Sequence, residues 1–374
     1  MPKMQGLYIH IPFCKSRCIY CGFFSTTMLD LRQQYVDALC QEMKMRCQGA
    51  ENISTIYLGG GTPSQLTTDQ LRQILHRAYI YNKVEKDAEV TIEVNPDDVT
   101  ERFANDLTLL PVNRISMGVQ TFDDKRLRFL HRRHTAEQVT TAVDRLRAAG
   151  IKNISIDLMY GFPGETIADC EADIAKALSL QVEHISTYCL IIEEDTQLQQ
   201  MLQQGNITET EEELERQMYE TIINRLENGG YEQYELSNFA RPGFHSRHNS
   251  SYWDGTPYIG IGAAAHSYDI ESRSWNIADI KQYIQGMANS QRIYEEERLD
   301  SDTRYNDAIT VALRTSRGLD LQALSPKHRT YCLENAQRYL DDGLLERTQD
   351  NRLRLTRRGL FVSDMIMSNL IYLP

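Results

Sequence analysis

Three cysteines, Cys14, Cys18 and Cys21, are spaced CxxxCxxC just after an apolar run that reads as a strand. Thiolates this close on one loop can each bind one iron of a cubane cluster and leave the fourth iron without a protein ligand. Such an iron is open to a small molecule. Structural zinc fits poorly, because it takes four ligands, usually as two separated pairs, and no second pair is at hand. His10 is the nearby candidate for a fourth ligand, but it sits in an alternating strand pattern that suits a packed histidine. Cys40, Cys47, Cys170, Cys189 and Cys332 are scattered and supply no second cluster motif. In a reducing compartment the grouped three read as a metal site, not as a disulfide framework.

The elements that must hold this loop follow a βα rhythm from Leu7 to about Leu190. Strands are expected from Leu7, Thr55, Glu89, Arg114, Asn153 and His184, rich in Ile, Val, Tyr and Thr and mostly apolar on both faces, as helix-covered strands are. Helix-period stretches start at Asp30, Thr67, Thr135 and Glu165, with Thr135 and Gln138 as a capping box and Gly150 as a stop. Six such units predict an α/β barrel or partial barrel. After its second strand, Gly59, Gly60, Gly61, Thr62 and Pro63 let the backbone approach a ligand without a Cβ in the way. Past an acidic helix, Thr208 to Gly230, the rhythm breaks into an aromatic, His- and Gly-rich stretch. Beyond Tyr294 the chain turns helical again and ends in a hairpin around Asp350 and Asn351, a winged-helix-like pattern. The expected division is 1–233, 234–293 and 294–374.

With 374 residues, 41% hydrophobic and 25% charged, the chain has an ordinary globular composition, which rules out disordered and collagen-like classes. A net charge of -12 argues against a nucleic-acid partner. Arg352, Arg354, Arg357 and Arg358 do not overturn this, since residues 301–374 carry a surplus of only two positive charges. The opening MPKMQGLYIHIPF shows neither a secretory signal nor a membrane span, so a cytoplasmic protein without direct membrane insertion is expected.

CKSRCIYC, preceded by YIHIPF, resembles the radical S-adenosylmethionine (SAM) proteins, and within them the HemN/HemW branch. The resemblance implies a radical SAM partial (β/α)6 barrel, a mixed α/β segment and a C-terminal helical, winged-helix-like domain. It implies that Cys14, Cys18 and Cys21 hold a 4Fe–4S cluster whose open iron chelates SAM, and that an electron donor reduces the cluster so that SAM yields a 5'-deoxyadenosyl radical. It implies SAM contacts from the backbone of Gly60, Gly61 and Thr62 and from the side chains of Glu93, Gln120, Arg132 and Asp157. Glu93 and Asp157 are suited to accept hydrogen bonds, Arg132 to donate a charge-assisted one, and Gln120 to do both. Tyr8, Tyr20 and Ile191 match positions lining the same pocket.

Within the branch, the HemN type, the oxygen-independent coproporphyrinogen III dehydrogenases, has a further cysteine where this chain has Phe23, and an N-terminal extension where only seven residues precede Tyr8. The HemW type carries a heme-binding HNxxYW motif, spelled here by His248, Asn249, Ser250, Ser251, Tyr252 and Trp253. Chemically, a neutral imidazole suits heme iron, Tyr252 and Trp253 offer flat apolar surface, and Arg241 and Arg247 suit propionates. A histidine among aromatics also serves as plain packing, and His245 and His266 compete for the ligand role. The expectation is a HemW-type heme chaperone that binds heme near His248 and passes it to an acceptor protein. The alternative is HemN-type oxidative decarboxylation of porphyrinogen propionates.

Overall fold

The computed structural model describes residues 4–47 and 52–373; Met1 to Lys3, Gln48 to Glu51 and Pro374, within the first and last expected divisions, lie outside the described residues. Six parallel strands stand side by side in chain order: β1 (Met4–Ile11), β2 (Asn52–Gly60), β3 (Lys83–Val94), β4 (Arg114–Gln120), β5 (Asn153–Tyr160) and β6 (His184–Cys189). The expected helices follow at Arg32–Arg46, Thr68–Tyr81, Ala136–Ala148 and Ile167–Ser179, with both halves of the Thr135–Gln138 capping box made.

Side chains alternate across these strands with period two. Leu7, Ile9 and Ile11, Ile92 and Val94, Ile115 and Met117, Ile154 and Ile156 point outward into the main core under the helices. The inner face carries Tyr8 and His10, Thr55 and Tyr57, Thr91 and Glu93, Arg114 and Ser116, Ser155 and Asp157, His184 and Ser186. The strands are therefore not apolar on both faces as expected. One face packs on helices, and the other lines a polar lumen.

The stretch read as a break in the rhythm belongs to the same sheet. It supplies β7 (Glu232–Gln233), β8 (Asn238–Ala240), β9 (Tyr258–Ile261), β10 (His266–Tyr268) and β11 (Ser272–Asn276), followed by β12 (Tyr294–Arg298). The order is β12-β11-β10-β9-β1-β2-β3-β4-β5-β6-β8-β7, with β8 antiparallel to β6 and β9 parallel to β1. Both edges of the six-stranded core are thereby paired, which removes two exposed strand edges. Buried Glu42 anchors one side, accepting hydrogen bonds from the Gly262 amide, the Asn276 amide group and the Tyr283 hydroxyl at 2.9, 2.8 and 2.7 Å.

A second core forms around Tyr305, Ile309, Leu321, Tyr339, Leu353 and Ile366. It joins helices Ser301–Ala312, Pro326–Asp341 and Ser363–Leu370 to a small sheet of β13 (Leu319–Asp320), β14 (Leu345–Arg347) and β15 (Arg352–Leu355). The expected hairpin is the β14–β15 pair, turned through Asn351 at a φ of 65°. Among the described residues no helix is long and apolar enough to cross a membrane.

Candidate functional site

The loop between β1 and the first helix lies across the C-terminal ends of the parallel strands. Backbone bonds clip it shut: the Thr26 amide donates to the Pro12 carbonyl at 2.7 Å and the Cys14 amide to the Thr26 carbonyl at 2.9 Å. Further along, the Ile19 amide donates to the Leu130 carbonyl at 3.3 Å, and Ile19 packs with Leu130, Phe162, Leu190 and Leu198. Cys14, Cys18 and Cys21 are half-buried free thiols, and burial pushes the thiols of Cys14 and Cys21 up. Among the described residues no three His, Cys, Asp or Glu side chains form a cage for a single metal ion. The donor set fits a cluster with one open iron, because His10 is committed elsewhere. Its Nδ1 accepts from the Tyr8 hydroxyl and its Nε2 donates to the Phe24 carbonyl, both at 2.9 Å. Burial holds its pKa down at about 4, so it stays neutral.

The glycine segment joins β2 to this loop. The Gly60 amide donates to Glu93 at 3.0 Å, the Gly61 amide to the Ile11 carbonyl at 2.9 Å, and the Thr62 amide to the Phe13 carbonyl at 2.8 Å. With these N–H groups spent inside the protein, ligand contacts by the segment fall to its carbonyl oxygens. Glu93 also accepts from the Tyr57 hydroxyl at 2.8 Å, and burial pushes its carboxyl up to about 7. Asp157, raised by burial, lies on the neighbouring inner face with Ser116 at 3.4 Å. Arg132 donates to Asn95 at 2.9 Å and to the Gly118 carbonyl at 2.5 Å, and its Nη1 lies 3.6 Å from Cys18 Sγ. Its Nε is buried with no partner among the described residues, which leaves a donor for a ligand carboxylate. Gln120 ends β4 in the left-handed region at a φ of 70°, a backbone strain of the kind found at binding sites. Tyr8 and Tyr57 stack at 6.2 Å inside the lumen, Tyr20 packs beside Ile19, and Ile191 stands 67% exposed at the rim. Carboxylates for an ammonium and an unpaired arginine nitrogen for a carboxylate are a set that fits SAM.

At the other end of the lumen sits the helix Arg247–Trp253, which carries the HNxxYW residues. Glu89 of β3 caps it, accepting from the amides of Arg247 at 2.9 Å and His248 at 3.0 Å. His248 is 1% exposed and stacked on Tyr57 at 5.0 Å. Its Nδ1 meets Thr55 Oγ1 at 2.8 Å and its Nε2 meets the Tyr252 hydroxyl at 2.9 Å. Burial takes its pKa down to about 3. In this conformation both ring nitrogens of His248 are hydrogen-bonded within the protein. Asn249 and Trp253 are partly buried on the same helix, Trp253 with a buried, unpartnered Nε1. His245 is exposed and stacks on Tyr234 at 4.4 Å, while His266 is exposed on β10 against Trp275 at 5.7 Å. Sequence reasoning missed Thr55, Tyr57 and Glu89. The polar residue at every second strand position was the available signal.

Glu89→Ala is expected to destabilise the fold by about 2 kcal/mol, as loss of a buried charged cap does, and to loosen this helix first. Hydrogen exchange should accelerate at residues 247–253; unchanged exchange there would refute the capping role.

A cysteine-bearing loop over six parallel βα units, with a glycine cradle on the adjoining strand, defines a radical SAM protein, and the Radical SAM superfamily model matches residues 8–177. The model of the HemN C-terminal domain matches residues 299–362. The chain is 36% identical to the heme chaperone HemW of Bacillus subtilis over 87% of both proteins. It is 32% identical to that of Mycobacterium tuberculosis (strain H37Rv), over 98% of this chain and 94% of the relative. It belongs to the HemW family of radical SAM proteins, and the radical SAM family implies a 4Fe–4S cluster and SAM. Among solved structures, Escherichia coli coproporphyrinogen III oxidase (HemN), a radical SAM enzyme, shares the fold at a TM-score of 0.85 and 22% identity, over 99% of this chain and 90% of that one.

Proposed function

We propose that this protein is a heme chaperone that binds heme and hands it to an acceptor protein, with a cluster and SAM at the opposite end of the lumen. The observation that carries the reading is likeness to proteins named heme chaperone HemW over as much as 98% of the chain. Cys14, Cys18 and Cys21 hold the cluster. When reduced by an electron donor with SAM bound, such a cluster supplies one-electron chemistry. Around it the chain's own groups bind and orient: ionised Glu93 and the carbonyls of Gly60, Gly61 and Thr62 face the amino group as acceptors, and Arg132 donates to the carboxylate. Asp157 and Gln120 serve the remaining polar groups, and Tyr8, Tyr20 and Ile191 form the apolar wall. Because Glu93 titrates at about 7, SAM binding weakens as pH falls below neutrality.

Heme is the cargo, taken at the helix of His248, Asn249, Tyr252 and Trp253 once that helix leaves its seat on Glu89 and Thr55. His245 and His266 are the competing axial ligands. The protein acts in the cytoplasm as three units, 1–233, 234–293 and 294–374. One anaerobic preparation tests the reading. Hemin should bind with a Soret band near one-to-one stoichiometry that shifts in His248→Ala and not in His266→Ala. The same preparation, given coproporphyrinogen III, reductant and SAM, should form no protoporphyrinogen. Robust turnover would overturn the chaperone in favour of a porphyrinogen dehydrogenase, and a Soret band unchanged by His248→Ala would remove that ligand.

A further inference from the structure

Arg114 opens β4, with Thr91 of β3 and Asn153 of β5 as its register partners. It is 1% exposed, yet its Nε and Nη1 have no hydrogen-bond partner and it forms no ion pair among the described residues. Thr91 Oγ1 and Asn153 Oδ1, in the same layer, are also buried and unpartnered. A guanidinium cannot shed its proton, and a buried one without an opposite charge is strongly disfavoured. Its balance must come from farther off, where the low dielectric of an interior keeps charges in communication. The carboxylates facing the same lumen are Glu89 and Glu93, each two residues along β3 from Thr91, and Asp157, four along β5 from Asn153; Glu89 also holds the 247–253 helix, and its charge shares in balancing Arg114.

We propose that Arg114 is a positioning residue for SAM, a buried counter-charge that favours the ionised forms of Glu93 and Asp157 from across the lumen without touching them. The inference rests on the reading of Glu93 as the carboxylate that receives SAM's amino group. The electrostatics run in the same direction. Arg114 pulls both carboxyls down, against burial, and pushes His184 and His248 toward the neutral form. The other groups facing Glu93 are Tyr8, Tyr57 and Tyr252, which are neutral phenols pushed up by burial, and Asp157, which repels it. Around Asp157 stand the hydroxyls of Ser116 and Ser186, the charges of Arg132 and Glu93, and the phenols of Tyr57 and Tyr188, both pushed up by burial.

The test follows SAM affinity of the cluster-loaded protein against pH by equilibrium dialysis. In the wild type the affinity should rise through a midpoint near 7. In Arg114→Met the midpoint should move up by about one unit, leaving binding about fivefold weaker at pH 7 and close to wild type above pH 9. Arg114→Lys should keep the wild-type midpoint, and Arg114→Gln, which retains donors without charge, should behave as the Met variant does. A wild-type midpoint in Arg114→Gln or Arg114→Met would overturn the proposal. Thermal unfolding of Arg114→Gln alone and combined with Glu93→Gln and Asp157→Asn separates it from the SAM reading. Should the wild type bind no SAM at any pH, the Glu93 reading falls, while a smaller loss of Tm from Arg114→Gln in the carboxylate-free background still upholds Arg114 as counter-charge. Equal losses in both backgrounds would refute it.

Discussion

Replacing Cys18 with serine is expected to leave anaerobically reconstituted protein with almost none of the about four irons per chain that a cubane cluster brings, and without its broad absorbance near 400 nm. The loop has three thiols and no spare ligand, since both nitrogens of His10 are bonded within the protein. A serine hydroxyl is a hard, poorly ionised donor, and two thiolates cannot anchor the core. The polypeptide should nonetheless stay folded, because the loop is clipped by backbone bonds at Thr26, Leu130 and Thr62 that do not involve the Cys18 side chain. Cys14→Ser and Cys21→Ser should behave alike. Cys40→Ser, half-buried on the helix Arg32–Arg46, should load iron normally. Iron and sulfide analysis of the four variants decides the matter, and full iron in Cys18→Ser would remove it from the ligand set.

The cluster loop, six strands and most of their helices were legible because each depends on local pattern: cysteine spacing, apolar runs, and caps such as Thr135 with Gln138. The edge strands were not. β8 on β6 and β9 on β1 are pairings of distant segments, and β7 and β8 span only two and three residues, too short to show a period. The polar lumen was written in the sequence but not read. Thr55 and Tyr57, Thr91 and Glu93, Arg114 and Ser116, Ser155 and Asp157 alternate strictly with Ile, Leu, Val and Met, and the aliphatic half dominated the reading. The same oversight hid Arg114, which looked like the polar start of a strand. His248 illustrates the opposite case. Its motif was evident, but only the packing of Thr55, Tyr57 and Tyr252 around it shows that the imidazole closes the lumen floor.

Gly61→Ala is the substitution expected to do most harm to SAM binding without removing any ligand. A Cβ at Gly61 would lie 2.7 Å from the Pro12 carbonyl carbon and 2.8 Å from its oxygen, with the Ile11 oxygen at 3.0 Å. These are backbone atoms and cannot rotate away. Nor can the strand yield freely, since Gly61 bonds to Ile11, Thr62 to Phe13 and Thr26 to Pro12 in the same few residues. Overpacking of this kind costs about 1–3 kcal/mol and pries the β2 turn from the cluster loop, which misplaces the cradle carbonyls and Thr62 beside Cys14 together. Gly150→Ala is the matched control. That glycine has a φ of 93° and nothing within 4 Å of an added Cβ, so alanine there strains only the local backbone, by about 1 kcal/mol. The expected result is a similar modest fall in Tm for both variants, with SAM affinity down at least tenfold and the cluster more readily lost in Gly61→Ala alone. Wild-type affinity and cluster retention in Gly61→Ala would mean that the loop and the glycine turn can separate without consequence, and that the close approach of the two backbones plays no part in binding.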